Sequence, residues 1–150
     1  MFISQECHYA LRAVLELARR YHRGSAKNSE IAEVQAIPPR FLEVILSELK
    51  RGGFVGSRRG SSGGYVLLDD PAKLTVGSII GFIQGPVEPV ECVSAESHME
   101  CSLRESCALT RMWQRVKKAV TDIYDTTTFQ DLLDEEMRLR RRQFVPSYAI

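Results

Sequence analysis

Apolar residues recur along the first part of the chain with a helical period. Ala10, Ala13, Val14, Leu17, Ala18 and Tyr21 stand at i, i+3, i+4, i+7, i+8 and i+11, one face of a helix over residues 5–23. Ser4 supplies an N-cap hydroxyl and Gly24 a stop. A shorter helix follows from Asn28 or Ser29, running through Ile31, Ala32 and Val34 to about Gln35. Ala36-Ile37-Pro38-Pro39 leads into a third helix, where Pro39 suits the first turn because an N–H there has no partner to lose. Phe41, Leu42, Ile45, Leu46 and Leu49 form the buried side of that helix, and Gly52-Gly53 end it. Two helices across a short turn, with another before them, predict a helix-turn-helix.

The pattern then changes. Residues 54–58 and 65–68 read as short strands around the glycine- and serine-rich tip 60–64, a hairpin placed where a wing would be. Thr75 caps a short helix holding Val76, Ile79, Ile80 and Ile83, closed by Gly85-Pro86. From Ala108 a long helix carries Leu109, Trp113, Val116, Val120, Ile123 and Tyr124, a seam too narrow for a core face but suited to a partner helix. A last helix starts at Thr128 and includes Leu132, Leu133 and Met137. The fold class is therefore mainly α with a small β-hairpin, a winged helix-turn-helix plus a long dimerisation helix. The expected divisions are a winged module over 1–84, a cysteine-bearing loop over 85–108, the dimerisation and following helices over 109–136, and a basic tail over 137–150.

Composition narrows the class. With 44% apolar and 26% charged residues, the chain is not wholly disordered. No apolar run approaches the ~20 residues that span a bilayer. The N-terminus lacks the basic and apolar blocks of an export signal, so a cytoplasmic location with no membrane partner is expected. The net charge of +1 hides a contrast: residues 38–60 hold five basic and two acidic side chains, residues 86–106 one basic and five acidic.

The basic cluster falls where DNA would sit. In a winged helix-turn-helix the second helix enters the major groove and flanking elements touch the backbone. The outward side of that helix presents Arg40, Glu43, Val44, Ser47 and Lys50. Arg40, at the helix N-terminus, suits a phosphate or a guanine edge, and Glu43 would accept from cytosine N4. Arg58 and Arg59, with Gly60 and Ser61, put the wing along or in the minor groove. One module of about 70 residues buries too little for tight specific binding, so a homodimer on a near-palindromic operator of double-stranded DNA is expected.

Three of the four cysteines fall within 16 positions as Cys92-x8-Cys101-x5-Cys107. Thiolates at loop spacings suit an iron–sulfur cluster, a zinc site or a thiol switch, and buried inert cysteines are the plain alternative. A fourth ligand would come from His98, Cys7, His8 or Glu6. Enzyme signatures are absent: the glycine stretch around residues 59–65 lacks a P-loop lysine, and no nucleophile–base–carboxylate set stands out.

Ile3-Ser4-x4-Tyr9-Ala10-Leu11-Arg12, Pro39-x-Phe41-Leu42-Glu43-x2-Leu46-x2-Leu49 and Arg59-Gly60-x3-Gly64-Tyr65 followed by Leu74-Thr75-Val76-Gly77 resemble the Rrf-type winged-helix transcription regulators, in the cluster-binding branch. The resemblance spans residues 2 to about 136. It implies a dimeric bacterial repressor whose DNA affinity answers to an iron–sulfur cluster, 2Fe–2S or 4Fe–4S, sensing redox, nitric oxide or iron status. Cys92, Cys101 and Cys107 match the family's cluster cysteines, Glu43 a position that excludes one class of site, and Arg59 the wing arginine of the minor groove. Thr110 stands where one branch has its histidine ligand. His8 matches a position that, in other members, reaches across the dimer to the partner's cluster. By the same resemblance, His8 is the expected fourth ligand, ahead of Cys7 and His98. Zinc- or thiol-based sensing remains the alternative for these cysteines, and control by an enzyme partner is the one that other members of the family imply.

Overall fold

Helix α1, Gln5–Arg19, starts where Ser4 accepts a hydrogen bond from the Cys7 backbone at 3.1 Å. Its inward face is Cys7, Ala10, Ala13, Val14, Leu17 and Ala18, and the small side chains let other helices approach closely. The helix ends four residues before the sequence pattern suggests. The last N–H groups turn back to i−3 carbonyls, and His22 takes a left-handed φ of 60° before Gly24 at 127°. The computed structural model describes residues 3–94, 101–103 and 106–143.

Helices α2 (Asn28–Gln35) and α3 (Pro39–Arg51) are joined through Ala36 in the left-handed region and Ile37, which is buried. Leu42, Ile45, Leu46 and Leu49 of α3 complete the main core with α1, Ile31 and Ala32. Phe41 does not join them: it is 64% exposed. At about 100° per residue it lies roughly 90° from the centre of the buried stripe, which those four aliphatics already fill.

Strands β1 (Val55–Arg58) and β2 (Gly64–Leu67) pair antiparallel, Val55 opposite Leu67 and Arg58 opposite Gly64. The wing is stitched to the chain before α2 by two backbone bonds between Ala26 and Tyr65, at 2.9 and 2.7 Å. That contact dictates glycine at position 64, where a Cβ would stand 2.5 Å from the Ala26 carbonyl oxygen and φ is +155°.

Helix α4 (Val76–Ile83) is capped by Thr75 as expected. Helix α5 (Ala108–Thr126) contains no buried residue, although it packs on α4. There Gly77 admits the Asp125 carboxylate, which any Cβ would strike. Helix α6 (Phe129–Gln143) opens with reciprocal bonds between Thr128 and Asp131, then drives Phe129 into the main core at full burial. Its backbone is tied to the segment before α4 by Phe129 N–H to Leu74 and Gln130 N–H to Pro71, both 3.0 Å. The helix passes residue 137, where a tail was expected, to Gln143. Glu135 with Arg138 and Glu136 with Arg140 form same-face ion pairs that support the extra turns.

Candidate nucleic-acid interface and cysteine segment

Arg40, Glu43, Val44, Ser47 and Lys50 all lie exposed on α3, on the side opposite the core quartet. Lys50 Nζ donates to Ser57 Oγ at 2.7 Å, fixing the angle between helix and wing. Arg58, Arg59, Gly60 and Ser61 are exposed at the wing. Among the described residues, no carboxylate pairs with Arg40, Arg58 or Arg59. The tip is held back by Ser25 Oγ donating to the Ser62 carbonyl at 2.7 Å, and Lys27, Glu30 and the wing arginines line one shallow groove. A helix face and a wing edge with unneutralised cations are suited to a polyanion. Phe41 joins this surface although its apolar type pointed inward.

Position of α2 and α3 is set from α1. Arg12 donates to the Gln35 carbonyl at the end of α2. Glu16, 2% exposed, accepts from Arg19, from Arg20 Nε at 2.8 Å and from Gln35 Nε2 at 3.2 Å. Arg20 continues to Glu30 at 3.0 Å on α2, and Arg19 to Glu136 at 2.7 Å on α6. Burial opposes ionisation of Glu136, but the Arg19 guanidinium, helped by Arg140, holds its carboxyl below the usual glutamate range. The network escaped sequence reading. Its one local signal is a glutamate inside an apolar stripe with arginines three and four residues on.

Cys92 sits half-buried in a 3-10 turn, Glu91–Val93. Lys117 of α5 secures that turn, donating to the Val93 carbonyl at 3.2 Å and lying 3.5 Å from Glu88. Cys107 is the N-cap residue of α5. Hydrogen bonds from the Thr110 hydroxyl and from the Thr110 and Leu109 backbone favour its thiolate and push its pKa below the ordinary thiol value. Cys101 and His8 are exposed, and Glu6 likewise. Cys7 lies fully buried among Val76 and Ile80, and burial, then Glu6, pushes its thiol up, the state of a protonated core thiol. His98 lies outside the described residues. Among those residues, no group of three His, Cys, Asp or Glu side chains is placed to hold a metal ion. The donor chemistry of Cys92, Cys101 and Cys107 still suits a thiolate-bound group, because the hydrogen bonds at Cys107 favour its thiolate and hold its pKa below the ordinary thiol value. No helix among the described residues is long and apolar enough to cross a membrane.

Comparison with known proteins agrees with this geometry. A family model described as Rrf2, iron-dependent transcriptional regulator, matches residues 3–135. The HTH-type transcriptional regulator CymR of Bacillus subtilis is 36% identical over 132 residues, covering 88% of this chain and 89% of the relative. The solved structure of CymR, the global cysteine regulator of B. subtilis, superposes with a TM-score of 0.74 at 33% identity, over 90% of this chain and 98% of that one. The structure of T. potens IscR gives 0.72 at 29% identity, over 91% and 88%. These relatives are regulators of transcription, not enzymes. The chain is a winged-helix transcriptional regulator belonging to the Rrf2 family.

Proposed function

We propose that the chain is a homodimeric repressor that reads a near-palindromic operator with α3 and the wing and is controlled through its cysteine segment. The observation that carries the DNA reading is the free cationic edge formed by Arg40, Arg58 and Arg59 on either side of the Lys50–Ser57 tie. Arg40, Glu43, Val44, Ser47 and Lys50 serve the major groove, and Arg58, Arg59, Gly60 and Ser61 the backbone and minor groove. The second copy docks on α5, where Leu109 and Ile123 are 60% and 62% exposed and Met112 joins them.

For control, Cys92, Cys101 and Cys107, with the partner's His8, would hold an iron–sulfur cluster. Such a group, when bound, supplies ligand bonds labile to oxygen, nitric oxide or iron loss. This chain's own part is mechanical. Cys107 heads α5, Lys117 holds the Cys92 turn to the same helix, α5 packs on α4, and α4 packs on α1. Arg12 and Glu16 of α1 then set α2 and thereby α3. A second reading, thiol-based sensing, is favoured by the hydrogen bonds that lower the Cys107 pKa and by the likeness to CymR, the global cysteine regulator of B. subtilis.

The deciding experiment is an absorption spectrum with iron, zinc and acid-labile sulfide counts on protein prepared without oxygen, paired with duplex binding before and after chelation. Iron and sulfide in equal amounts, with binding altered by their removal, is the expected result. Metal-free protein whose binding responds to a thiol oxidant would replace the cluster by thiol chemistry. Full DNA affinity under every treatment would remove the sensor altogether.

A further inference from the structure

The first turns of α3 leave two large apolar side chains in water. Phe41 is 64% exposed and Val44 57%, and neither packs against either core cluster. They stand three residues apart on one helix and are therefore neighbours. The core is filled by Leu42, Ile45, Leu46 and Leu49 on the other side, so nothing in the fold asks for an aromatic at position 41. What surrounds the pair is charged: Arg40 and Glu43 on the same turns and Arg51 further along, all exposed. Arg40 and Arg51 on that rim suit a polyanion, and Glu43 between them suits a base edge that donates.

We infer that Phe41 and Val44 read the C5-methyl groups of thymine in the major groove. That methyl is the apolar group among the base-pair edges displayed there, whereas the other edges offer donors and acceptors. The helix carries both kinds of reader. Arg40 and Glu43 address polar edges, and Phe41 with Val44 address the methyl. Their place at the N-terminal end of a recognition helix is where side chains reach base edges. This inference rests on the docking of α3 in DNA and adds the base it selects.

The test begins with the intact protein and a random duplex library, from which bound sequences are enriched. The best sequence is then rebuilt with deoxyuridine replacing each thymidine in turn, which removes the methyl and nothing else. At one or two thymidines per half-site the affinity should fall about threefold to tenfold, the scale of one methyl group taken out of water. Phe41→Ala and Val44→Ala should bind the thymidine duplex more weakly and bind both duplexes alike at those positions. Arg40→Ala should weaken binding yet keep the thymidine-to-deoxyuridine ratio. Wild-type indifference to every deoxyuridine overturns the inference, and so do Phe41 and Val44 variants that keep the wild-type ratio. Variants that change the oligomeric state while leaving DNA binding intact assign the patch to a protein contact instead. Failure to enrich any sequence overturns the DNA reading of α3 itself, whereas enrichment without methyl dependence overturns this inference alone.

Discussion

At the scale of single residues, the wing arginines separate affinity from selectivity. Arg59 is exposed and unpaired by any carboxylate among the described residues, so it is available to displace counterions from DNA. Arg59→Ala should weaken binding to all duplexes and lower the log-salt slope by about 1, measured by titration across salt concentrations. Glu43, which can only accept when ionised, should behave differently. Glu43→Ala should broaden the set of bound sequences, by about 1–3 kcal/mol at one position, as read by competition among single-base variants. Glu136 gives a test by pH. Arg19 holds its carboxyl below the ordinary glutamate value. The stabilisation from that pairing is therefore complete above about pH 4.3 and fades as pH falls through the lower, folded-state value. The stability difference between wild type and Glu136→Gln should shrink to nothing across that acid window in chemical denaturation.

At the scale of elements, sequence reading succeeds where the causes are local. Ser4, Thr75 and Thr128 announce their helices because a hydroxyl three residues before a free N–H is a short-range fact. The start of α3 follows from Pro39 and the wing from its glycines, whereas the left-handed Ala36 that closes α2 has no signal in an alanine. The failures are contacts between distant residues. Arg19 meets Glu136 across 117 positions, and Phe129 enters a core built mostly by residues before 80. The Lys117 contact with Val93 is of the same kind, and it defines a role for the lysine. Lys117→Met should free the turn around Cys92 and raise its alkylation severalfold, while Lys117→Arg keeps the turn in place. Peptide mass spectrometry on metal-free protein reads both outcomes, and an unchanged rate in the methionine variant would remove the lysine's holding role.

At the scale of the whole molecule, α5 is the element with surface to spare. An amphipathic helix of 19 residues with none buried leaves Leu109, Met112 and Ile123 exposed, the surface that the second copy of the proposed homodimer would cover. Leu109→Asp combined with Ile123→Asp should yield monomers by sedimentation. Because two half-sites would no longer be read together, operator affinity should drop by about a hundredfold or more. The winged module should keep its fold, since neither side chain contributes to either core cluster.

Helix α5 is also held unevenly along its length. Its C-terminal end is clasped at Thr127 by the Val76 N–H at 2.9 Å and by the Thr75–Thr128 bridge, whereas its first residue follows directly on Cys107. A rod of 19 residues is about 28 Å long, so a pivot of about 5° at the clasp sweeps the cysteine end through about 2.4 Å. Run in reverse, that lever turns a coarse displacement at Cys107 into a fine adjustment at its fulcrum beside α4. Under the proposed control at the cysteine segment, such gearing would convert a large chemical disturbance into a small, well-directed change of aim.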